Sequence, residues 1–203
     1  MKTVRRLFAL AAVVAAIVAL LPAVTAAQDL HPSRRPSPMG MARVTLGGTY
    51  VRVVYSRPYL RGRENIFGTE ESGALVPFGQ VWRTGANEAT EITITGDVLV
   101  AGERLPAGTY SVFTTPGADR WKIHFNSALG LSGTVRFVPG AEEPAEGYTP
   151  DNDVLTVAAT PATTEGDPVD QLTISFDRND AGADMVLRWQ NTEVRVPIAL
   201  PGA

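Results

Sequence analysis

The sequence predicts an all-β protein: a single β-sandwich or jelly-roll-like domain behind an N-terminal signal peptide. Three observations lead there. About ten short runs rich in Val, Ile, Thr, Tyr, Phe and Trp follow one another after residue 40, which is strand composition. Gly, Pro, Asn and Asp separate these runs at the close spacing of tight turns. Beyond the first residues no apolar stripe recurs with the 3.6-residue period of a helix. Many short strands without helices make a sandwich or a barrel rather than an α/β fold. Periodicity does not choose between those two.

Residues 1–27 read as the export signal. Lys2, Arg5 and Arg6 form its charged start, Leu7 to Leu21 is an apolar run of about fifteen residues, and small residues follow Pro22. Cleavage fits after Ala26 or Ala27. The run falls short of the roughly 20 residues that span a bilayer, and no later segment is long enough. A chain without a membrane span after cleavage is expected, soluble in the periplasm of a diderm host or secreted by a monoderm one. Residues 28–40 hold three prolines between His31 and Gly40 and should be an extended lead-in with no fold of its own.

The domain then occupies residues 41–200. Ala42–Leu46 and Tyr50–Tyr55 flank Gly47-Gly48, a two-residue hairpin signal. Strands are expected at Thr90–Thr95, Val98–Val100, Thr109–Thr114 and Trp121–Asn126, each bounded by turn residues. The series continues with Thr134–Val138, Val154–Ala158, Leu172–Phe176, Met185–Trp189 and Glu193–Ile198. Trp121, Phe125, Phe176 and Trp189 are the expected core, and Gly85 and Gly108 should sit where a side chain has no room. Two irregular stretches interrupt the strands. Leu60–Gln80 is long for a connection in a compact domain and is expected to fold against it; Gly140–Asp153 is acidic and reads as a solvated loop.

Composition removes several function classes. Losing Lys2, Arg5 and Arg6 lowers the formal net charge of −3 by three, to about −6, so no basic face exists for nucleic acid. Cys is absent, which excludes a lipoprotein anchor, disulfides, thiol chemistry and thiolate metal ligands. His31 lies in the lead-in. His124 shares a strand face with Lys122 and Asn126, opposite Trp121, Ile123 and Phe125, and is read as facing solvent. On that reading no Ser-His-Asp triad and no histidine zinc site can be assembled. Asp151-Asn152-Asp153 and Asp177-Arg178-Asn179-Asp180 carry hard oxygen ligands but lack EF-hand spacing, and read as turns. No metal, no cofactor and no catalytic residue is assigned.

What remains is the stretch from Tyr55 to Glu91. It gathers Arg57, Arg61, Arg63 and Arg83 among Tyr55, Tyr59, Phe67, Phe78 and Trp82, with Asn87 and Glu88 close behind. Guanidinium forks hold carboxylates and phosphates bidentately and stack on aromatic rings. Arg57, Arg61, Arg63, Trp82, Arg83, Asn87 and Glu88 are therefore the candidate ligand-binding residues, for an anionic or sugar-like small molecule or an envelope component. The opposing expectation is that these arginines pair with Glu64, Glu70, Glu88 and Glu91 and pin a long loop to the sheet.

Three blocks carry a resemblance: YSRPYLRGR at Tyr55–Arg63, LVPFGQVWRTGANEAT at Leu75–Thr90, and LPAGTYSV at Leu105–Val112. With the closing W-x-x-x-x-V-x-V-P-I of Trp189–Ile198, the chain resembles the bacterial exported proteins grouped as domain of unknown function 2911. The resemblance covers nearly all of the chain after the signal. It implies an exported, mainly β domain and marks Arg57, Gly62, Arg63, Trp82, Arg83, Gly85, Asn87 and Glu88 without giving them roles. The function expected from all this is a non-catalytic ligand-binding or envelope-interaction domain. The alternatives are a carboxylate-based enzyme acting on glycans and a structural or assembly protein.

Overall fold

A computed structural model describes residues 34–133 and 147–202. The strands run in the order β1 Met39–Leu46, β2 Thr49–Ser56, β3 Phe67–Gly68, β4 Val76–Pro77, β5 Thr90–Ile94, β6 Val98–Val100 and β7 Glu103–Leu105. They continue with β8 Gly108–Thr115, β9 Trp121–Asn126, β10 Asp153–Ala159, β11 Pro161–Thr163, β12 Val169–Asn179, β13 Gly182–Gln190 and β14 Thr192–Ala199. One 3-10 turn, Pro150–Asn152, precedes β10. The protein is all-β, as the alternation and turn spacing predict.

Two sheets form the body. One has the order β1-β2-β5-β8-β9-β10, with every neighbouring pair antiparallel. The other has the order β12-β13-β14-β6-β7, with β11 also paired to β14. Neither sheet closes on itself, so the fold is a sandwich and not a barrel. Alternation decides which side chains face inward: Val51, Val53, Ile92, Ile94, Ile123 and Phe125 from one sheet meet Leu172, Ile174, Met185, Leu187, Val194 and Val196 from the other. Each large side chain so buried stabilises the fold by about 1.5–3 kcal/mol, and no disulfide assists them. The β1–β2 turn uses Gly47 and Gly48 at φ 49° and 100°, the positive values that a two-residue hairpin requires.

One open side of the sandwich is closed by the chain leaving β2. The Tyr55 hydroxyl accepts from Ile174 N–H at 2.8 Å and donates to Ile174 C=O at 3.1 Å. Pro58 C=O accepts from Leu172 N–H at 3.0 Å, and Leu60 N–H donates to Asp170 C=O at 2.7 Å. These bonds occupy the edge of β12, which would otherwise present unpaired backbone groups to solvent. The Leu60–Gln80 stretch then packs against the end of the sandwich, as expected. Ile66 is fully buried, and Phe67 sets its ring edge against Trp82, Trp121 and Trp189 with centroids 5.7, 4.8 and 6.0 Å apart.

Four expectations need correction or limits. Residues 34–40 are not a free lead-in: β1 starts at Met39, and Arg57 N–H donates to Pro38 C=O at 2.9 Å. Phe176 lies at the margin of the core and is half-buried, whereas Trp121, Phe125 and Trp189 are buried. The short strands β3, β4, β7 and β11 are too brief to show a period. The strand expected at Thr134–Val138 and residues 140–146 of the 140–153 loop lie outside the described residues.

The fourth correction is His124, which does not face solvent. It is 7% exposed, because the outer face of the β8–β9 region is itself covered. Phe113, fully buried there, packs with Ala89 and Leu131 and with half-buried Val81, Ala128 and Tyr148. Residues 127–133 and 147–152 thus form a lid of local structure over the sheet's second side. Beneath it His124 Nδ1 lies 2.9 Å from Asp153 Oδ2, and Nε2 lies 3.0 Å from Thr115 Oγ1. A hydroxyl–imidazole–carboxylate set is therefore present after all.

Candidate functional site

Trp82 begins the site. Its backbone exchanges two hydrogen bonds with Thr114 of β8, at 2.8 and 2.9 Å, in the lane that β5 enters eight residues later. The chain between, residues 83–89, is looped out of that lane. Thr90 N–H closes the loop on Arg83 C=O at 3.1 Å, and Trp82 Nε1–H donates to Gly85 C=O at 2.9 Å.

The loop is tightly specified. Thr84 has φ 56° and Asn87 φ 55°; for the β-branched Thr84 this conformation is costly and needs support from its surroundings. Thr84 is fully buried, with its C=O accepting from Thr90 Oγ1 at 2.8 Å. Asn87 Nδ2 donates to Ser37 C=O at 3.0 Å and Ser56 Oγ at 3.1 Å. Gly85 meets its expectation, since a Cβ there would lie 2.8 Å from the Ser56 carbonyl oxygen. Gly108 does too, although the obstruction is its neighbour's Tyr110 hydroxyl at 2.9 Å.

This loop, the Leu60–Gln80 stretch and the residues before β1 surround a cavity of about 310 Å³. Arg61, Arg63 and Arg83 line it together with Tyr59, Trp82 and Trp189, and Pro36, Ser37 and Pro58 are also in the wall. No carboxylate is among the lining residues. Arg61 Nη2 donates to Pro36 C=O at 2.9 Å and Arg63 Nη2 to Tyr59 C=O at 2.6 Å; both side chains are otherwise exposed. Each has donors left over.

Arg83 differs from both. Among the described residues its side chain makes no hydrogen bond and no ion pair, and its Nε is buried with no acceptor. Burial pulls its pKa below the ordinary arginine value, and the guanidinium stays charged. Trp189, stacked on Trp82 at 5.9 Å and 17°, buries its Nε1 without an acceptor in the same wall. Two unsatisfied buried donors in one cavity wall are unusual, because native proteins pair nearly all such groups.

Of the seven sequence candidates, Arg61, Arg63, Trp82 and Arg83 come together at this cavity. The other three have work elsewhere. Arg57 Nε donates to Leu172 C=O at 3.1 Å and its Nη2 to Thr173 Oγ1 at 3.0 Å, tying β2 to β12. Asn87 holds the loop. Glu88 is exposed and salt-bridged to Arg35 at 2.5 Å. The opposing expectation also fares poorly: Glu64, Glu70 and Glu91 form no salt bridge with these arginines among the described residues, and Glu91 instead accepts from Gly130 N–H at 3.3 Å. Tyr59 and Trp189 are the aromatic wall residues absent from the candidate set. Trp189 opens the closing sequence block but reads there as core, which it also is.

Among the described residues no three His, Asp or Glu side chains group to hold a metal ion. Asp177 is instead salt-bridged to Arg195 at 2.9 Å and Arg188 at 3.2 Å on the face of the second sheet.

A family model described as a protein of unknown function, DUF2911, matches residues 37–198. The chain belongs to the DUF2911 family. No curated protein and no solved structure matches it. The match takes in both sheets, the loop 83–89 and every cavity-lining residue but Pro36, so the site is part of the DUF2911 domain itself.

Proposed function

We propose that this DUF2911 protein is exported and that its arginine cavity binds, without chemistry of its own, a small anionic molecule with a flat or ring-shaped part. Arg83 carries the reading. A half-buried guanidinium with no counter-ion is costly, by about 1–3 kcal/mol for an unmet buried donor alone, and an incoming carboxylate or phosphate removes that cost. Arg61 and Arg63 at the rim add charge and spare donors, while Tyr59 and Trp82 supply ring faces. The cavity lies at the small end of ligand sites, suited to a sugar acid or a sugar phosphate rather than a polymer. A carboxylate-pair glycosidase does not fit this wall, which presents no acidic side chain among the described residues.

Export to the periplasm or the medium belongs to the same proposal, and rests on the charged, apolar and small-residue order of residues 1–27.

The test is thermal unfolding of the processed chain against phosphate, sugar acids, sugar phosphates, neutral sugars and cell-wall fragments. A true ligand at 100 times its Kd adds about 2.7 kcal/mol, which for this size raises Tm by roughly 5–10 °C. Equal response to neutral and anionic sugars would remove the role given to the arginines.

A further inference from the structure

A second cavity, of about 590 Å³, opens on the outer face of the first sheet and shares no residue with the arginine cavity. His124, Asp153, Tyr148 and Thr156 line it, with Arg120 and Lys122 at its side. Three neighbouring strands supply the parts: Thr115 ends β8, His124 is central in β9, and Asp153 opens β10.

The hydrogen bonds fix the direction of the chain. Asp153 Oδ1 accepts from Asn126 Nδ2 at 2.8 Å, and Oδ2 accepts from the Tyr148 hydroxyl at 3.0 Å and the Thr156 hydroxyl at 3.3 Å. The carboxylate thus has a donor on each oxygen, and in its ionised form a carboxylate only accepts. His124 Nδ1 lies 2.9 Å from Oδ2, 3.1 Å from the Thr156 hydroxyl and 3.3 Å from the Tyr148 hydroxyl, and we assign it the proton because the carboxylate is its nearest partner. In the neutral ring Nε2 presents its lone pair, and the group facing it at 3.0 Å is the Thr115 hydroxyl. This order of hydroxyl, imidazole and carboxylate is the arrangement that activates an oxygen nucleophile. Burial of only 9% and 11% exposed side chains at His124 and Asp153 fixes the imidazole, and Thr115 is half-buried at the edge. Lys122, directly opposite Thr115 in the β8–β9 register, puts positive charge on the same face.

We infer that Thr115, His124 and Asp153 form an acyl-transfer site: His124, Asp153 and Lys122 line the second cavity, and Thr115, not itself a lining residue, stands beside His124 and Lys122 at its margin to attack carboxylic esters held there. Thr115 Oγ1 attacks the ester carbonyl and passes its proton to His124 Nε2. The carbon–oxygen bond to the alcohol breaks, and Nε2 returns the proton to the departing alkoxide. Water then attacks the acyl-threonine, losing a proton to Nε2, and Thr115 leaves and regains it. The net reaction is ester plus water to acid plus alcohol, with no oxidant or metal needed. Asp153 is a positioning residue, setting the tautomer and steadying the imidazolium.

The probes are p-nitrophenyl acetate and an alkyl fluorophosphonate, used on the full processed chain with the modified peptide located by mass spectrometry. The acyl or phosphonyl group is expected on Thr115. Thr115→Val and His124→Gln should each slow p-nitrophenol release at least about 100-fold, the scale of general-base assistance. Thr115→Ser keeps the nucleophile and should label as fast or faster, which separates chemistry from folding. Absence of any label on Thr115 in the unaltered protein overturns the inference, whether or not the variants fold. Unchanged labelling in folded His124→Gln overturns it too.

Discussion

Replacing Arg83 by methionine separates a binding arginine from a structural one by the sign of a single number. Methionine keeps an unbranched apolar stem and discards the charge and the donors. If Arg83 held the loop 83–89 in place, the loss would be several kcal/mol, as when one partner of a buried pair is removed. Among the described residues it has nothing to lose: no ion pair, no hydrogen bond, and a buried Nε without an acceptor. The loop is held instead by Trp82 on Gly85, Thr90 on Arg83 C=O and Asn87 on Ser37 and Ser56. Removing an unmet donor should recover about 1 kcal/mol, so Arg83→Met is expected to raise Tm by roughly 2–4 °C without ligand. The same variant should lose most of the stabilisation by phosphate or a sugar acid. Arg83→Lys, which keeps the charge but not the fork, should fall between the two in ligand response. Paired melting curves with and without anion make the measurement. A fall of several degrees in Arg83→Met without ligand would refute the reasoning, since it would make the guanidinium a strut.

Other expectations follow from the same contacts. Gly85→Ala should cost about 1–3 kcal/mol, because its Cβ would meet the Ser56 carbonyl oxygen at 2.8 Å and backbone cannot step aside; a denaturant midpoint equal to the parent's would contradict the close approach. Tyr55→Phe leaves the buried Ile174 N–H without its 2.8 Å acceptor and should cost a similar amount, about 1–3 kcal/mol, with faster hydrogen exchange along β12. Acid should destabilise the second sheet. The pKa of Asp177 and that of Glu193 lie below the ordinary values, because burial, which alone would raise them, is outweighed by hydrogen bonds from Arg195 and Arg188. A depressed folded-state pKa gives stability that is complete above the normal carboxylate range and is lost as pH falls through the depressed value, here below about 4. Asp177→Asn with Glu193→Gln should flatten that acid limb of Tm against pH, and an unchanged limb would place the effect elsewhere. If the chain is exported as proposed, N-terminal sequencing should find a terminus at Ala27 or Gln28, following cleavage after Ala26 or Ala27; an intact Met1 would count against the signal.

How far the site could be read from sequence depends on what each residue is for. The run Val81–Glu88 could be singled out as unusual, but not divided. Trp82, Thr84, Gly85 and Asn87 build the loop through contacts with Thr114, Ser56 and Ser37. Those partners lie roughly thirty residues or more away, so linear spacing says nothing of them. The Tyr55–Pro58 run likewise looked like ligand chemistry and is edge pairing with β12, more than a hundred residues later. Arg83 stands out only by subtraction, once every neighbour has a structural partner. The strands were legible because alternation is local: β9 falls at Trp121–Asn126 as expected, and β2 extends the expected run by one residue at each end.

The misreading of His124 has a different cause, and one residue carried a warning of it. Period-two alternation says that the two faces of a strand differ; it does not say that the second face is wet. In Thr109–Thr114 the inward residues are Tyr110, Val112 and Thr114, which leaves Phe113 on the side assigned to solvent. A phenylalanine there implies a cover. His124 stands directly opposite Phe113 in the β8–β9 register, on that same face. The cover itself, residues 127–133 and 147–152, has turn-like composition and no period, so nothing local announces that it folds back. Once it does, a strand histidine next to a carboxylate changes from a surface residue into a buried imidazole with both nitrogens engaged. Local pattern therefore placed the strand correctly and the chemistry wrongly, because chemistry at His124 depends on what lies above the sheet and not on the strand that carries it.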